Sequence, residues 1–174
     1  FPMLHSFTTI VGGTICERYE IVKKGEERLG QLADLLKRRG SVSEFNSPHY
    51  IFIEINALAL IAENAANEAT KHLALQCEER LWAEALGHAI PDCSLSAGPF
   101  SRTYSPMFYE TTDVTMILYF LLGDQSRLYP NADKNDRHKI AKPFLKHFPL
   151  SKLHCPAYLV EWYLNRTYPH EYSS

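Results

Sequence analysis

No Cys-x-x-Cys pair and no Cys/His cluster of zinc-finger spacing occurs in the 174 residues: Cys16, Cys77, Cys93 and Cys155 stand far apart. That excludes a zinc ribbon and a thioredoxin-type redox motif, and leaves three disulfide pairings among which spacing does not choose. Cys77 lies in a helical run, where a thiol reads first as a small buried hydrophobe, and the cysteines are expected to be free thiols. The eight histidines include no His-x-x-x-His helical pair with an acid between its members. No metal ligand set is therefore expected, and no cofactor. A glycine-rich phosphate loop and a Gly-x-Ser-x-Gly elbow are missing too, which removes the usual nucleotide-binding and serine-hydrolase signatures.

An excess of positive charge is also lacking. Lys and Arg number 18 against 20 Asp and Glu, a formal net charge of −2, with a pI near 6.5. A nucleic-acid partner normally shows as a basic excess, so none is expected. No apolar run reaches the ~18 residues of a membrane span. The longest candidate, Met116 to Leu122, ends at Gly123-Asp124, so the chain reads as soluble with no membrane partner. The opening Phe1-Pro2-Met3-Leu4-His5 lacks the basic-then-apolar order of a leader. The absent initiator Met points to a processed or excised chain, which leaves the compartment open. The sequon Asn165-Arg166-Thr167 would carry a glycan only in a eukaryotic secretory setting and otherwise reads as chance.

What is present is enough apolar material for a core, 45% hydrophobic and 12% aromatic, in one domain or part of a larger one. Phe7 to Glu20, with Thr8-Thr9-Ile10-Val11 before Gly12-Gly13, reads as irregular: short extended structure or loop. Leu29, Leu32, Ala33, Leu35 and Leu36 then recur at helical spacing, predicting a helix over Glu26 to Arg39 that Gly40 stops. Ser47 before Pro48 opens a second helix to about Asn67, apolar on nearly every side and hence enclosed by neighbours. A third runs to about Leu86, with Gly87 as its stop. His88 to Tyr104 follows as a loop of roughly seventeen residues, long enough to be functional or a packed excursion. Pro106 starts a fourth helix to Leu122, and His138 to His147 and Pro156 to Asn165 are further helical stretches. The expected class is all-α: antiparallel helical hairpins with an irregular N-terminal segment.

Two segments crowd polar chemistry at helix entrances: Glu44-Phe45-Asn46-Ser47-Pro48-His49-Tyr50 and Ala97-Gly98-Pro99-Phe100-Ser101-Arg102-Thr103-Tyr104-Ser105-Pro106. Helix starts carry unsatisfied N–H groups that favour anionic or polyhydroxylated ligands. If successive helices are antiparallel, the loops before the second and fourth helices emerge at the same end, so the two segments are neighbours. The same alternation would bring Ser151 to Cys155, with His154, to that end.

The stretch Arg-Arg-Gly-Ser-Val-Ser-Glu-Phe-Asn-Ser-Pro-His-Tyr, an alanine-rich helix pair, and Leu-Ser-Ala-Gly-Pro-Phe-Ser-Arg-Thr-Tyr together resemble an uncharacterised group of (α/α)-toroid proteins. These look like relatives of heparinase- and alginate-lyase-type polysaccharide lyases. The resemblance covers about Leu35 to Gly123. It implies hairpins around a cavity with a carbohydrate-processing site on one face, and an acidic oligo- or polysaccharide as partner. A full toroid of about twelve helices of ~10–14 residues exceeds this chain, which would then be an incomplete toroid or a fragment completed by another chain or a missing segment.

Uronate β-elimination needs a group to neutralise the carboxylate, a base for the C5 proton and an acid for the departing oxygen. By resemblance, Asn46 and Arg102 hold the carboxylate, with Ser101 beside them, His49 is a base, and Tyr50 or Tyr104 is base or acid. Asn46 also reads as a loop residue capping a helix, and Arg102 as a structural partner of an acid. Glycoside hydrolysis would use two carboxyl groups, for which Glu44, Glu54, Glu110 and Asp113 are available. Glu54 falls inside an apolar helix, so it needs a partner such as Arg102, whether as an ion pair or as part of a substrate site. Tyr158 and Trp162 at helical spacing read as core before they read as a sugar-stacking surface. The third possibility is a non-catalytic helical interaction module.

Overall fold

The computed structural model describes residues 2–48, 50–91, 95–102, 113–126 and 152–167. Among them the chain is all-α apart from one small β-ribbon. The helices are α1 (Pro2–Ile15), α2 (Tyr19–Arg39), α3 (Tyr50–Asn64), α4 (Glu68–His88), α5 (Asp113–Leu122) and α6 (Ala157–Leu164); a 3₁₀ turn at Gly123–Ser126 follows α5. The expected helix at His138 to His147 and the start of the fourth helix at Pro106 lie outside the described residues. No helix among the described residues is long and apolar enough to cross a membrane.

Two antiparallel hairpins, α1–α2 and α3–α4, stack so that α1 lies beside α3 and α2 beside α4. Within this two-layer array α3 is enclosed by α1, α4 and α5, which is why its sequence is apolar on nearly every side: Ile51, Phe52, Ile55, Leu58 and Ile61 are all buried. Trp82, Leu81 and Leu86 of α4 complete the same core. Gly40, left-handed at φ 75°, ends α2 by returning its N–H to Leu36 O at 2.8 Å, the αL stop expected of a glycine there.

The N-terminal segment corrects the reading as irregular: it is helix α1. Its β-branched Thr8, Thr9, Ile10 and Val11 disfavour helix only weakly. Burial of Met3, Ser6, Ile10 and Gly13 along one face against the rest of the fold outweighs that. The hydroxyls of Ser6, Thr9 and Thr14 donate to the carbonyls of Pro2, His5 and Ile10 one turn back, so they need no other partner. Helix α2 likewise begins at Tyr19, seven residues before the expected Glu26, and passes through Gly25. A Cβ at Gly25 would lie 2.5 Å from Thr9 Oγ1 and 2.7 Å from Ile10 Cγ1. This glycine is therefore the contact that lets α1 and α2 approach, not a helix breaker.

Helix α4 is capped by Asn67, whose side chain accepts from Ala69 N, and it continues through Gly87 to His88. The long loop has structure of its own: β1 (Ala89–Ile90) pairs antiparallel with β2 (Leu95–Ser96), with Ala89 opposite Ser96 and Ile90 opposite Leu95. A ribbon of two residues per strand has no periodicity to read in advance.

The C-terminal segment departs from simple alternation. Lys152 N donates to Glu63 Oε1 at 2.8 Å near the C-terminus of α3, the end opposite Tyr50. His154 is held midway along α4 by Glu78, whose buried carboxylate accepts from His154 N at 2.7 Å, His154 Nδ1 at 2.9 Å and Trp82 Nε1 at 3.1 Å. Residues 152–155 are thus not at the end that helix counting assigned. From there α6 runs parallel to α4, with Tyr158 on Glu79 and Arg166 on the carbonyls of Leu86 and Gly87. Tyr158, read as core from its helical spacing with Trp162, is instead exposed; Trp162 is half-buried, and the aromatic that α6 buries fully is Tyr163.

Candidate functional site

The loop between α2 and α3 folds around a carboxylate from α4. Glu84, wholly buried, accepts the Asn46 N–H on Oε1 at 2.7 Å and is also bonded by the Ser41 hydroxyl. Asn46 adopts a left-handed backbone, φ 46°, which Asn tolerates better than most L-residues. That turn aims its side chain across to the second segment: Nδ2 donates to Ala97 O at 2.7 Å and Pro99 O at 2.9 Å, and Oδ1 accepts from Ser96 Oγ at 3.3 Å. Ser101 N adds a bond to Phe45 O at 3.2 Å. The ring of Phe45 meets His88 edge to face at 5.6 Å, and His88 O accepts Ala97 N at 2.7 Å. Burial lowers the His88 pKa. The two segments are therefore one unit, as antiparallel counting predicts.

Ser47 is the N-terminal cap of α3, its Oγ accepting the Tyr50 N–H at 3.3 Å. One turn further, Glu54 shares the Tyr50 face of the helix. The expected Glu54–Arg102 pair does not form. Arg102, also left-handed at φ 52°, places Nε 3.2 Å from Glu44 Oε1 and its guanidinium 6.0 Å from the centre of the Tyr50 ring. Its side chain is 59% exposed whereas that of Glu44 is 11% exposed. Glu44 lies nearer in sequence to the turn that Asn46 fixes, so the clamp delivers Arg102 to it rather than to the carboxylate beneath.

Glu54 itself is 0% exposed, and neither of its oxygens has a hydrogen-bond partner among the described residues. Burial, and after it the neighbouring Glu44 charge, pushes its pKa up to about 7, with Glu84 adding in the same direction. Burial also raises Glu84. The underside of the face is accordingly a buried carboxyl group of three glutamates, over which one exposed guanidinium and one aromatic ring look outward.

Of the residues singled out in the sequence, Asn46, Tyr50, Glu54, Ser101 and Arg102 come together; His49 and Tyr104 lie outside the described residues. Asn46 is 4% exposed and its amide is engaged on the partner segment, so it shapes the face rather than lining it. Sequence reasoning missed Glu84 and Arg166. Glu84 sits among Leu81, Trp82, Ala85 and Leu86, the same acid-in-an-apolar-setting signal that marks Glu54. Arg166 closes the base of the ribbon: it donates to Leu86 O at 3.2 Å, Gly87 O at 2.9 Å and Ala89 O, and stacks 5.0 Å from Trp162 and 5.5 Å from Tyr163. A cation there satisfies helix C-terminal carbonyls that lack intrahelical partners.

No group of three or more His, Cys, Asp or Glu among the described residues is arranged to hold a metal ion. A family described as a domain of unknown function (DUF8769) matches residues 2–145. No curated protein and no solved structure matches the chain.

Proposed function

Since the chain belongs to the DUF8769 family, a domain of unknown function, we propose an activity from its own geometry: the Tyr50–Arg102 face binds a uronate-containing polysaccharide and cleaves it by β-elimination carried by side chains alone. The observation that carries this reading is Arg102, an exposed guanidinium braced by Glu44 and standing over an aromatic ring where the two polar segments meet. Such an arrangement suits a sugar carboxylate, which a guanidinium binds through charge-assisted hydrogen bonds.

In the proposed reaction Arg102 neutralises the uronate carboxylate and so acidifies the neighbouring C5 proton. A base, His49 or a tyrosinate, takes that proton; the C–H electrons form the C4–C5 double bond, the C4–O bond breaks, and a tyrosine phenol protonates the departing oxygen. Tyr50 is in place beside the cation; Tyr104 follows Arg102 by two residues. Hairpins stacked in two layers are consistent with the toroid resemblance, in which another chain or segment completes the ring.

The test is incubation with polygalacturonate and alginate, following ultraviolet absorbance of the unsaturated product alongside reducing ends. Both should rise together, and Arg102→Gln should lose both. A second reading, hydrolysis by a carboxyl pair, draws on the raised pKa of Glu54 beside Glu44; reducing ends without absorbance would favour it. Absence of both signals, and of saccharide binding, would favour a non-catalytic helical module.

A further inference from the structure

We propose that Glu54 is a positioning residue for the Arg102 face: acting through Glu44, its proton sets how strongly the guanidinium is held back from an anionic ligand. The proposal rests on the uronate reading only for the identity of that ligand. Tyr50 and Glu54 are separated by one turn of α3, so the acid lies beneath the ring that faces Arg102. Both Glu54 oxygens are buried and without a hydrogen-bond partner among the described residues, and so is Glu44 Oε2, while Glu44 Oε1 holds Arg102.

Among the described residues, Glu44 faces Glu54 from the α2–α3 loop and Glu84 from α4, both acting to keep it protonated; Arg80 lies beside Glu84, and Arg102 reaches Glu44 from the second segment. With Glu54 neutral, no charge from α3 is added behind the Glu44 carboxylate that holds Arg102. An ionised Glu54 adds a second negative charge behind Glu44. That charge draws the guanidinium inward and repels an incoming carboxylate, and the two effects have the same sign. Because burial and Glu44 hold Glu54 protonated up to about pH 7, the change falls around neutrality, where an ordinary glutamate is already ionised.

Two measurements test it on the full chain. The Arg102 Nε–H resonance, followed by NMR against pH without ligand, should show a step whose midpoint coincides with the titration of the Glu54 side-chain carbon. Glu54→Gln should abolish the step. Trigalacturonate should bind roughly threefold to tenfold more weakly at about pH 8 than at about pH 6 in the unmodified protein, and Glu54→Gln should flatten that dependence. No Arg102 step, a step that persists in Glu54→Gln, or a step away from the Glu54 titration would overturn the proposal. If Glu54→Gln fails to fold, the coincidence of the two titrations in the unmodified protein decides. A step that behaves as expected, without trigalacturonate binding at either pH, would sink the uronate reading and leave the coupling standing.

Discussion

Asn46 donates its side-chain amide to Ala97 O at 2.7 Å, joining two segments 51 residues apart in the chain. Replacing it with Ala removes that bond and the one to Pro99, and places an alanine at φ 46°. Loss of about 1–3 kcal/mol is expected from the stranded carbonyls, read as a lower urea midpoint with unchanged slope. Asn46→Gly should relieve the backbone and still lose the clamp, seen as faster hydrogen exchange at Ala97 and Ser101.

The buried Glu54 makes stability depend on pH in a direction opposite to a salt-bridged acid. Its folded pKa of about 7 lies above the ordinary value of 4.5, so between these values the folded state holds a proton that the unfolded chain has lost. The contribution is fully present below about pH 4.5 and declines as pH rises through about 7, a change of roughly 3 kcal/mol. Glu54→Gln should therefore raise the melting temperature at alkaline pH and leave it nearly unchanged in acid. Equal effects at both ends would contradict the assignment.

Gly25 offers a packing test far from the face. With Thr9 Oγ1 and Ile10 Cγ1 2.5 and 2.7 Å from the site of an added Cβ, Gly25→Ala should force α1 and α2 apart at a cost of about 1–3 kcal/mol. Gly12→Ala, where nothing lies within 4 Å, should be neutral or slightly stabilising through helix propensity. Thermal unfolding of the two variants side by side gives the comparison.

Arg102 should separate function from stability. Its pair with Glu44 is more than half exposed on the arginine side, and such pairs contribute at most about 1 kcal/mol. Arg102→Gln is expected to unfold at nearly the wild-type denaturant concentration while losing uronate binding and product absorbance. A large fall in stability would mean that the guanidinium is mainly structural.

The meeting of Asn46 with Ala97 is legible in the sequence because it depends only on helix count and on short connections, both set by strong apolar spacing in α2, α3 and α4. The partner of Arg102 is less so. Glu44 and Glu54 are both plausible from residue type, and only the left-handed turns at Asn46 and Arg102 decide between them. Glu84 follows Glu78-Glu79-Arg80 on a helix whose charges look solvated; packing of α4 in the hairpin array turns Glu84 inward under the α2–α3 loop, as it does Glu78 under the C-terminal segment. Helix α1 is hidden because the local preferences of Thr8 to Val11 oppose what the contact through Gly25 imposes. The parallel course of α6 has no local signal at all, since it is set by Glu78, Glu79 and the carbonyls that Arg166 meets.

That last contact has a consequence for how the molecule is made. Arg166 reaches Leu86 O across 80 positions of chain, so the end of α4 from which the ribbon leaves cannot be sealed until nearly all of the described chain has left the ribosome. The hairpins α1–α2 and α3–α4 have the nearby contacts that form early in synthesis. The face they carry is thus drafted first and fastened last, and nascent chains arrested before residue 166 should present the two polar segments with the ribbon still open to a chaperone or protease.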